Sequence, residues 1–317
     1  MNSNRLFPAS LRLGIGLAAV VSLSACGSGG EESSAAGEGE SCKIGMTQIN
    51  QTAVFFTQMN EGAQEAAEAA GCELTIANAN NDSATQSSHI ENFVSQGMDG
   101  IIVVAIDVNG VTPAVEAAQE QDIPVVAIDA EVEGVDTFVG VDNEAAGTEA
   151  AQWMVDEGLV EGQSYGVVDA KNSFIQNQRE DSFRAVIDDN GAEYTQSVNG
   201  DNVQETAANA AQDLITAQPD LDFVYTTGEP ATVGAVAALE GSDDTQIIGW
   251  DLTKEVINGI DSGLVRAVIQ QNPKQEGIEA VNELVAILGG AEPKGFIGVP
   301  IEIVTDENVD EYRSIYP

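Results

Sequence analysis

Two aspartates end apolar runs of the same design. Residues 123–129 read IPVVAID and residues 245–251 read TQIIGWD, so Asp129 and Asp251 each terminate a β-branched stretch with strand character. An ionised carboxylate accepts several hydrogen bonds at once, as from neighbouring hydroxyls of a polyhydroxylated molecule. Asn50, Phe55 and Phe56 follow the first such run. Aromatic faces pack on the apolar C–H faces of a sugar ring, whose edges then need hydrogen-bond partners. Arg179 opens a helix after the run 164–169 and offers a planar fork of donors, and Gln271 follows another strand. Each residue also suits a plainer role. The aspartates fit helix N-caps, the phenylalanines fit the core of the first helix, and Arg179 fits a surface ion pair among many acids. Residue type and spacing leave both readings open.

Signatures of catalysis are missing. His89 is the only histidine and falls on the polar face of a predicted helix, which excludes a histidine-based triad and a multi-histidine zinc site. The sequence has no G-x-x-x-x-G-K-[ST] loop, and no G-x-G-x-x-G follows the first strand. With 52 acidic residues, chance carboxylate pairs are certain and carry no weight. The formal net charge of −41 repels nucleic acid, whose partners carry a basic patch. A solvated, soluble surface accounts for that charge and says little about a ligand.

The N-terminus carries its own chemistry. Arg5 and Arg12 precede the apolar stretch 13–23, and Leu23, Ser24 and Ala25 lead into Cys26, the order of a secretory signal. This resembles the lipobox of bacterial lipoproteins, which implies a diacylglycerol on the Cys26 thiol after removal of residues 1–25. The stretch is well short of the roughly 20 residues that cross a bilayer. Residues 26–41, rich in Gly, Ser and Glu, read as a flexible tether of about 20 Å. Two cysteines remain. Cys42 and Cys72 each precede an apolar run, so adjacent parallel strands would bring them to one end of a sheet. An exported compartment permits a disulfide there, and two reduced thiols are the alternative.

Behind the tether, short β-branched runs alternate with helical segments. Strands are expected at 43–49, 73–78, 100–106, 123–129, 136–141, 164–169, 192–198, 222–227, 245–250 and 264–270. Helices are expected at 57–70, 83–96, 111–121, 144–157, 176–190, 203–217, 231–240, 253–262 and 274–288. Runs such as 100–105 (GIIVVA) are apolar on both faces, as in parallel strands covered by helices. The alternation predicts doubly wound α/β sheets, and the length suits two domains. Asp129 and Asp251 would each end about the fourth strand of a half. Ligands of open α/β sheets bind beyond the C-terminal strand ends, so facing lobes would hold both aspartates across one cleft.

From residue 43 to 317 the chain resembles the ribose/galactose-type solute-binding proteins of ABC importers. The resemblance rests on ordered motifs: Asn50 with Phe55-Phe56 and Glu61-Gly62-Ala63, IPVV at 123–126 with Asp129, Gln178-Arg179 with Phe183, LITAQPD at 214–220, Gly234-Ala235 with Ala238-Leu239, IGWD at 248–251, and Gln271-Asn272-Pro273. It implies a type I periplasmic-binding-protein fold, two Rossmann-like lobes of parallel sheets flanked by helices and joined by a three-crossing hinge. The crossings would fall near 142–144, 271–273 and 298–300. One lobe would comprise 42–143 with 272–299, and the other 144–271 with 300–317.

The resemblance also implies a ligand set. Phe55 and Phe56 form a stacking platform with Asn50 beside it, and Asp129 and Asp251 bind hydroxyls from opposite lobes. Arg179, or Asn177 two residues before it, takes the family's arginine position. Asn202 stands where an aromatic is common, and Gln271 near a crossing. Three departures bear on specificity: Ala130 replaces a frequent arginine, Thr227-Gly228-Glu229 replaces Gln-Asn-Asp, and Asn202 is not aromatic. Glu229 facing the cleft would favour an amino or cationic ligand; capping a helix is its other role.

The expected function is therefore a monomeric receptor, lipid-anchored on the outer face of the cytoplasmic membrane of a Gram-positive-type cell. It would trap a monosaccharide, polyol or amino sugar and pass it to an ABC permease, with no cofactor, metal or nucleic acid. An exported carbohydrate-active enzyme or a sugar-sensing receptor of the same fold is the alternative. A transcription regulator would need a basic N-terminal helix-turn-helix, which the acidic chain lacks.

Overall fold

In the computed structural model, residues 42–51, 53–241 and 245–316 are described. The expected signal segment, Cys26 and the expected tether lie outside them. The first half runs β1 (Lys43–Gln48), α1 (Val54–Ala70), β2 (Glu73–Asn78), α2 (Ser83–Gln96), β3 (Gly100–Val103), α3 (Val108–Gln119), β4 (Val125–Ile128) and β5 (Thr137–Gly140). The second runs α4 (Asn143–Asp156), β6 (Ser164–Asp169), α5 (Phe174–Asp189), β7 (Glu193–Asn199), α6 (Gln204–Ala217), β8 (Phe223–Thr226), α7 (Glu229–Ala238), β9 (Gln246–Trp250), α8 (Lys254–Ser262) and β10 (Val265–Gln270). Then follow α9 (Pro273–Leu288), β11 (Gly295–Gly298), β12 (Glu302–Val304) and a 3-10 turn at Val309–Glu311.

The strands form two six-stranded sheets, ordered β11-β5-β4-β3-β1-β2 and β12-β10-β9-β8-β6-β7. The internal echo is thus a repeat of topology: 2-1-3-4-5 in the first sheet recurs as 7-6-8-9-10 in the second. Each sheet reverses its winding beside its first strand, the switch point where α/β sheets open a crevice. The chain passes between the sheets three times, after β5, after β10 and after β11. β4 and β9 hold equivalent places, so Asp129 and Asp251 follow equivalent strands, as their matched runs imply. β3 and β4 are buried along their whole length, which explains runs that are apolar without alternation.

Three expectations are corrected. β11 and β12 are absent from the predicted strands, because each is only three or four residues in a Gly- and Pro-punctuated segment with no extended apolar signal. β12 pairs antiparallel with β10, so the second sheet is not purely parallel. His89 does not stand on a solvated face: its Nδ1 lies 3.1 Å from Thr47 Oγ1 on β1. Gln86, Ile90 and Phe93 carry α2 onto the sheet, and His89 flanks that stripe.

Helices α1 and α9 interlock on the first sheet. A Cβ at Gly62 would overlap the Lys274 carbonyl, and one at Gly277 would overlap the Met59 carbonyl. Only glycine permits that approach, which fixes the start of α9 against the first turns of α1.

Cys42 and Cys72 form a disulfide with Cα atoms 4.6 Å apart. Lys43 and Glu73 are register partners in the parallel pair β1–β2, which sets the preceding cysteines side by side. The bridge closes 30 residues of sequence separation, worth about 3–4 kcal/mol in the chain-entropy model. The Cys42→Ser/Cys72→Ser variant is expected to melt roughly 10 °C lower than the oxidised parent. Equal melting temperatures in a calorimetric scan would refute the stabilising role.

Candidate ligand-binding site

Asp129 and Asp251 each leave their strand in the left-handed region, at φ 67° and 60°. Both backbone amides remain tied to the neighbouring strand, Asp129 N–H to the Val139 carbonyl and Asp251 N–H to that of Ile269. Each carboxylate is thereby turned off the strand end. Neither aspartate is a helix N-cap: Thr253 caps α8, and the cap of α4 is Asp142. Asp and Asn are the residues other than glycine that enter this region most readily, which suits both positions.

Arg179 lies in the second turn of α5 and is 3% exposed, so it is not a surface ion-pair partner. Its Nε donates to Asn143 Oδ1 at 2.7 Å, one terminal nitrogen to the Thr227 carbonyl at 3.2 Å, and the other to Gln271 Oε1 at 3.2 Å. The guanidinium stacks 3.7 Å above the ring of Trp250, whose indole N–H donates to Tyr225 Oη at 2.9 Å. Gln271 turns its amide nitrogen to both oxygens of Asp251, at 3.0 Å each. Asn143 and Gln271 stand on the first and second passages between the sheets, so one guanidinium ties both to the binding wall.

Burial governs the electrostatics. The Asp129 carboxyl is pushed up to about 6 by desolvation, with Asp251 adding to the rise and Arg179 opposing it. Asp251 is raised for the same first reason, restrained by Arg179 and by the Gln271 hydrogen bonds. Desolvation lowers Arg179, countered first by Asp251. It starts so high that the guanidinium stays charged.

Phe55 and Phe56 fall in the first turn of α1, which begins three residues before the predicted start. Their rings meet edge to face at 5.3 Å, half-buried against the first-sheet core. The core role and an open face are therefore compatible. Asn50 accepts from the Ala53 N–H at 3.0 Å and shapes the turn into α1. Across from Phe55 lie Glu229, Asp251, Gln270 and Tyr316, which together line a cleft of about 320 Å³. Glu229 is exposed at its rim, yet its carboxyl is pushed up to about 7 by desolvation first and then by Asp251 and Glu255. A larger groove, about 950 Å³, runs between α4 and α5 and contains neither aspartate nor either phenylalanine.

Two expected residues stand apart from Arg179 and the aspartates. Asn177 donates to the Lys171 carbonyl at 3.2 Å and so fastens the loop before α5. Asn202, exposed and left-handed at φ 57°, accepts from Gln176 Nε2 at 2.8 Å. Gln176, in turn, accepts from the Thr227 hydroxyl at 2.8 Å. Sequence reasoning missed Gln176, Trp250, Asn143 and Tyr316. Trp250 was legible as the neighbour of Asp251, but only the fold sets its face beneath Arg179. Among the described residues no group of His, Cys, Asp or Glu is arranged to hold a metal ion.

Two lobes of repeated topology, with acids at matched strand ends and a guanidinium between them, define a binding protein of the two-lobed type. Residues 44–292 match the family model described as periplasmic binding protein domain, and the chain belongs to that family. It is similar to the ribose import binding protein RbsB of Bacillus subtilis, 28% identical over 271 residues covering 83% of this chain and 87% of that one. It is also similar to a xylitol-binding protein of Mycolicibacterium smegmatis, 27% identical over 296 residues, 91% of this chain and 83% of that one. The solved structure of AraP, an arabinose-binding protein from Geobacillus stearothermophilus, superposes with a TM-score of 0.80. It is 22% identical and covers 86% of this chain and 99% of its own. These relatives are named for what they bind rather than for a reaction, and this chain is a binding protein, not an enzyme.

Proposed function

We propose that the chain is a lipid-anchored, extracytoplasmic receptor that captures a monosaccharide or related polyol between its lobes and delivers it to an ABC permease. The observation that carries this reading is the pair Asp129 and Asp251, at matched strand ends and both acting on Arg179. Such a pair accepts hydroxyl hydrogens, while Phe55 and Phe56 supply an apolar face for the C–H side of a ring. That the relatives bind ribose and xylitol, and AraP arabinose, supports the same class of ligand.

The lobes, divided near residues 143, 271 and 299, close about the three passages. A ligand that touches both lobes favours the closed form, which alone presents a complete docking surface to the permease. Lipid on Cys26 would hold this receptor at the membrane, with residues 26–41 as slack, and Cys26→Ser should release it to the medium or the soluble fraction. Retention of that variant in washed membranes would overturn the anchor.

The decisive experiment is a melting screen with pentoses, hexoses, pentitols and inositols. A ligand at about 100 times its Kd stabilises by about 2.7 kcal/mol, a rise of several degrees for a chain of this size. A panel in which no compound raises the melting temperature refutes the assignment.

A further inference from the structure

Glu276 has no place in the site as described. It lies in the first turn of α9, is 0% exposed, and neither of its carboxyl oxygens has a hydrogen-bond partner. A buried polar group without a partner is costly and asks for a functional reason. Helix geometry locates it. Glu283, on the same face two turns later, accepts from Thr137 Oγ1 at 3.0 Å, at the start of β5. Seven residues of helix span about 10.5 Å, the length of about three strand residues. That distance carries Glu276 from the start of β5 to the C-terminal ends of β4 and β5, where Asp129 leaves its strand. The charges acting on Glu276 identify the same place: Asp129 and Asp251 push it up beyond what burial does, and Arg179 opposes them.

Around this point stand the three carboxyls of Asp129, Asp251 and Glu276 and the one guanidinium of Arg179. Arg179 is already committed to Asn143, Thr227, Gln271 and the Trp250 face. Lys254 lies exposed at the cleft mouth beside Glu255 and Glu229. The close approach at Gly62 and Gly277 holds the start of α9, and with it the backbone of Glu276, against α1.

We propose that Glu276, with Asp129 and Asp251, forms a subsite for the protonated amine of an amino-substituted polyol. This rests on the polyol reading above and narrows it. An ammonium group brings three donors and a positive charge, matching unpartnered acceptors and an excess of acid. A hydroxyl in its place supplies one donor and no charge, and leaves the cluster to be neutralised by bound protons instead.

Matched pairs test this by titration calorimetry at pH 7: D-glucose with D-glucosamine, D-galactose with D-galactosamine, and sorbitol with 1-amino-1-deoxysorbitol. In at least one pair the amine is expected to bind ten-fold or more tightly than its neutral partner. Glu276→Gln should bring the two within about three-fold while leaving the melting temperature at or above that of the parent. Glu276→Met, which fills the same space without a polar group, should do likewise and serves if the amide fails to fold. Neutral compounds binding with no advantage for amines, or an advantage that survives Glu276→Gln, overturns the subsite. Binding by no member of any pair overturns the subsite as well, and then the melting screen decides separately whether the polyol reading stands.

Discussion

Asp251→Ala is expected to abolish binding at ordinary calorimetric concentrations while the protein stays folded. Asp251 is 8% exposed and receives both bonds that Gln271 directs at it, so its carboxylate is held rigidly before any ligand arrives. Two charge-assisted hydrogen bonds to ligand hydroxyls contribute about 1.5–3 kcal/mol each, and their loss weakens binding roughly 10²- to 10⁴-fold. Pockets built around polar pairs discriminate strongly for the same reason, because a buried partner is left unpaired. The fold suffers little. Alanine in the left-handed region costs about 1–2 kcal/mol, offset by removing a carboxyl that burial disfavours in its charged form. Asp251→Asn, which keeps one acceptor and tolerates the backbone, should fall between parent and alanine. Affinity for the best ligand of the melting screen that stays within three-fold in Asp251→Ala would remove Asp251 from the site.

Arg179→Met is expected to be the most destabilising single change, and its effect should depend on pH. Truncation leaves Asn143 Oδ1, the Thr227 carbonyl and Gln271 Oε1 without their donor. It also strips Asp129, Asp251 and Glu276 of the positive charge that holds each of them down. Uncompensated buried charge of this kind costs about 3–5 kcal/mol, a fall in Tm of roughly 10 °C. The sign of the pH dependence follows from protons bound. These carboxyls already titrate higher in the folded chain than in the unfolded one, and without Arg179 they rise further. The folded state then holds more protons, so lowering the pH favours it. The stability deficit of the variant should be largest near pH 8 and shrink as pH falls through 6, the region in which Asp129 titrates. A deficit equal at pH 8 and pH 5.5 would show that Arg179 acts only through its hydrogen bonds. Lysine is no substitute, since one ammonium cannot reach three separate acceptors with a flat face on Trp250.

Much of the fold was legible because both sheets are built from short strands buried on two faces, whose apolar runs stand out between helical segments. The matched runs ending in Asp129 and Asp251 gave away the repeat, and the fold sets them on β4 and β9. β11 and β12 were not legible, since three or four residues paired at a sheet edge need no apolar period of their own. Within the site, Arg179 was visible as a residue but not as a buried one, because its acceptors lie 36, 48 and 92 residues away. Glu276 had no signal at all. In a chain with 52 acids, one glutamate in the first turn of a helix is what the helix dipole favours. Only its complete burial, beside two other acids, sets it apart.

The left-handed backbone at Asp129 and Asp251 limits how this cleft can change its preferences over time. At φ 67° and 60° the residues that fit without appreciable strain are Asp, Asn and Gly. Each position can therefore offer a charged acceptor, an amide or a void, and little else, so drift toward a new ligand through these two sites runs along three steps. Ala130 and Glu229, where the sequence departs from the pattern expected of the resembled family, are under no such backbone constraint. Diversification of specificity should accumulate at positions free of that constraint around a nearly fixed pair, and a library built to redirect binding would do better to randomise 130 and 229 than 129 and 251.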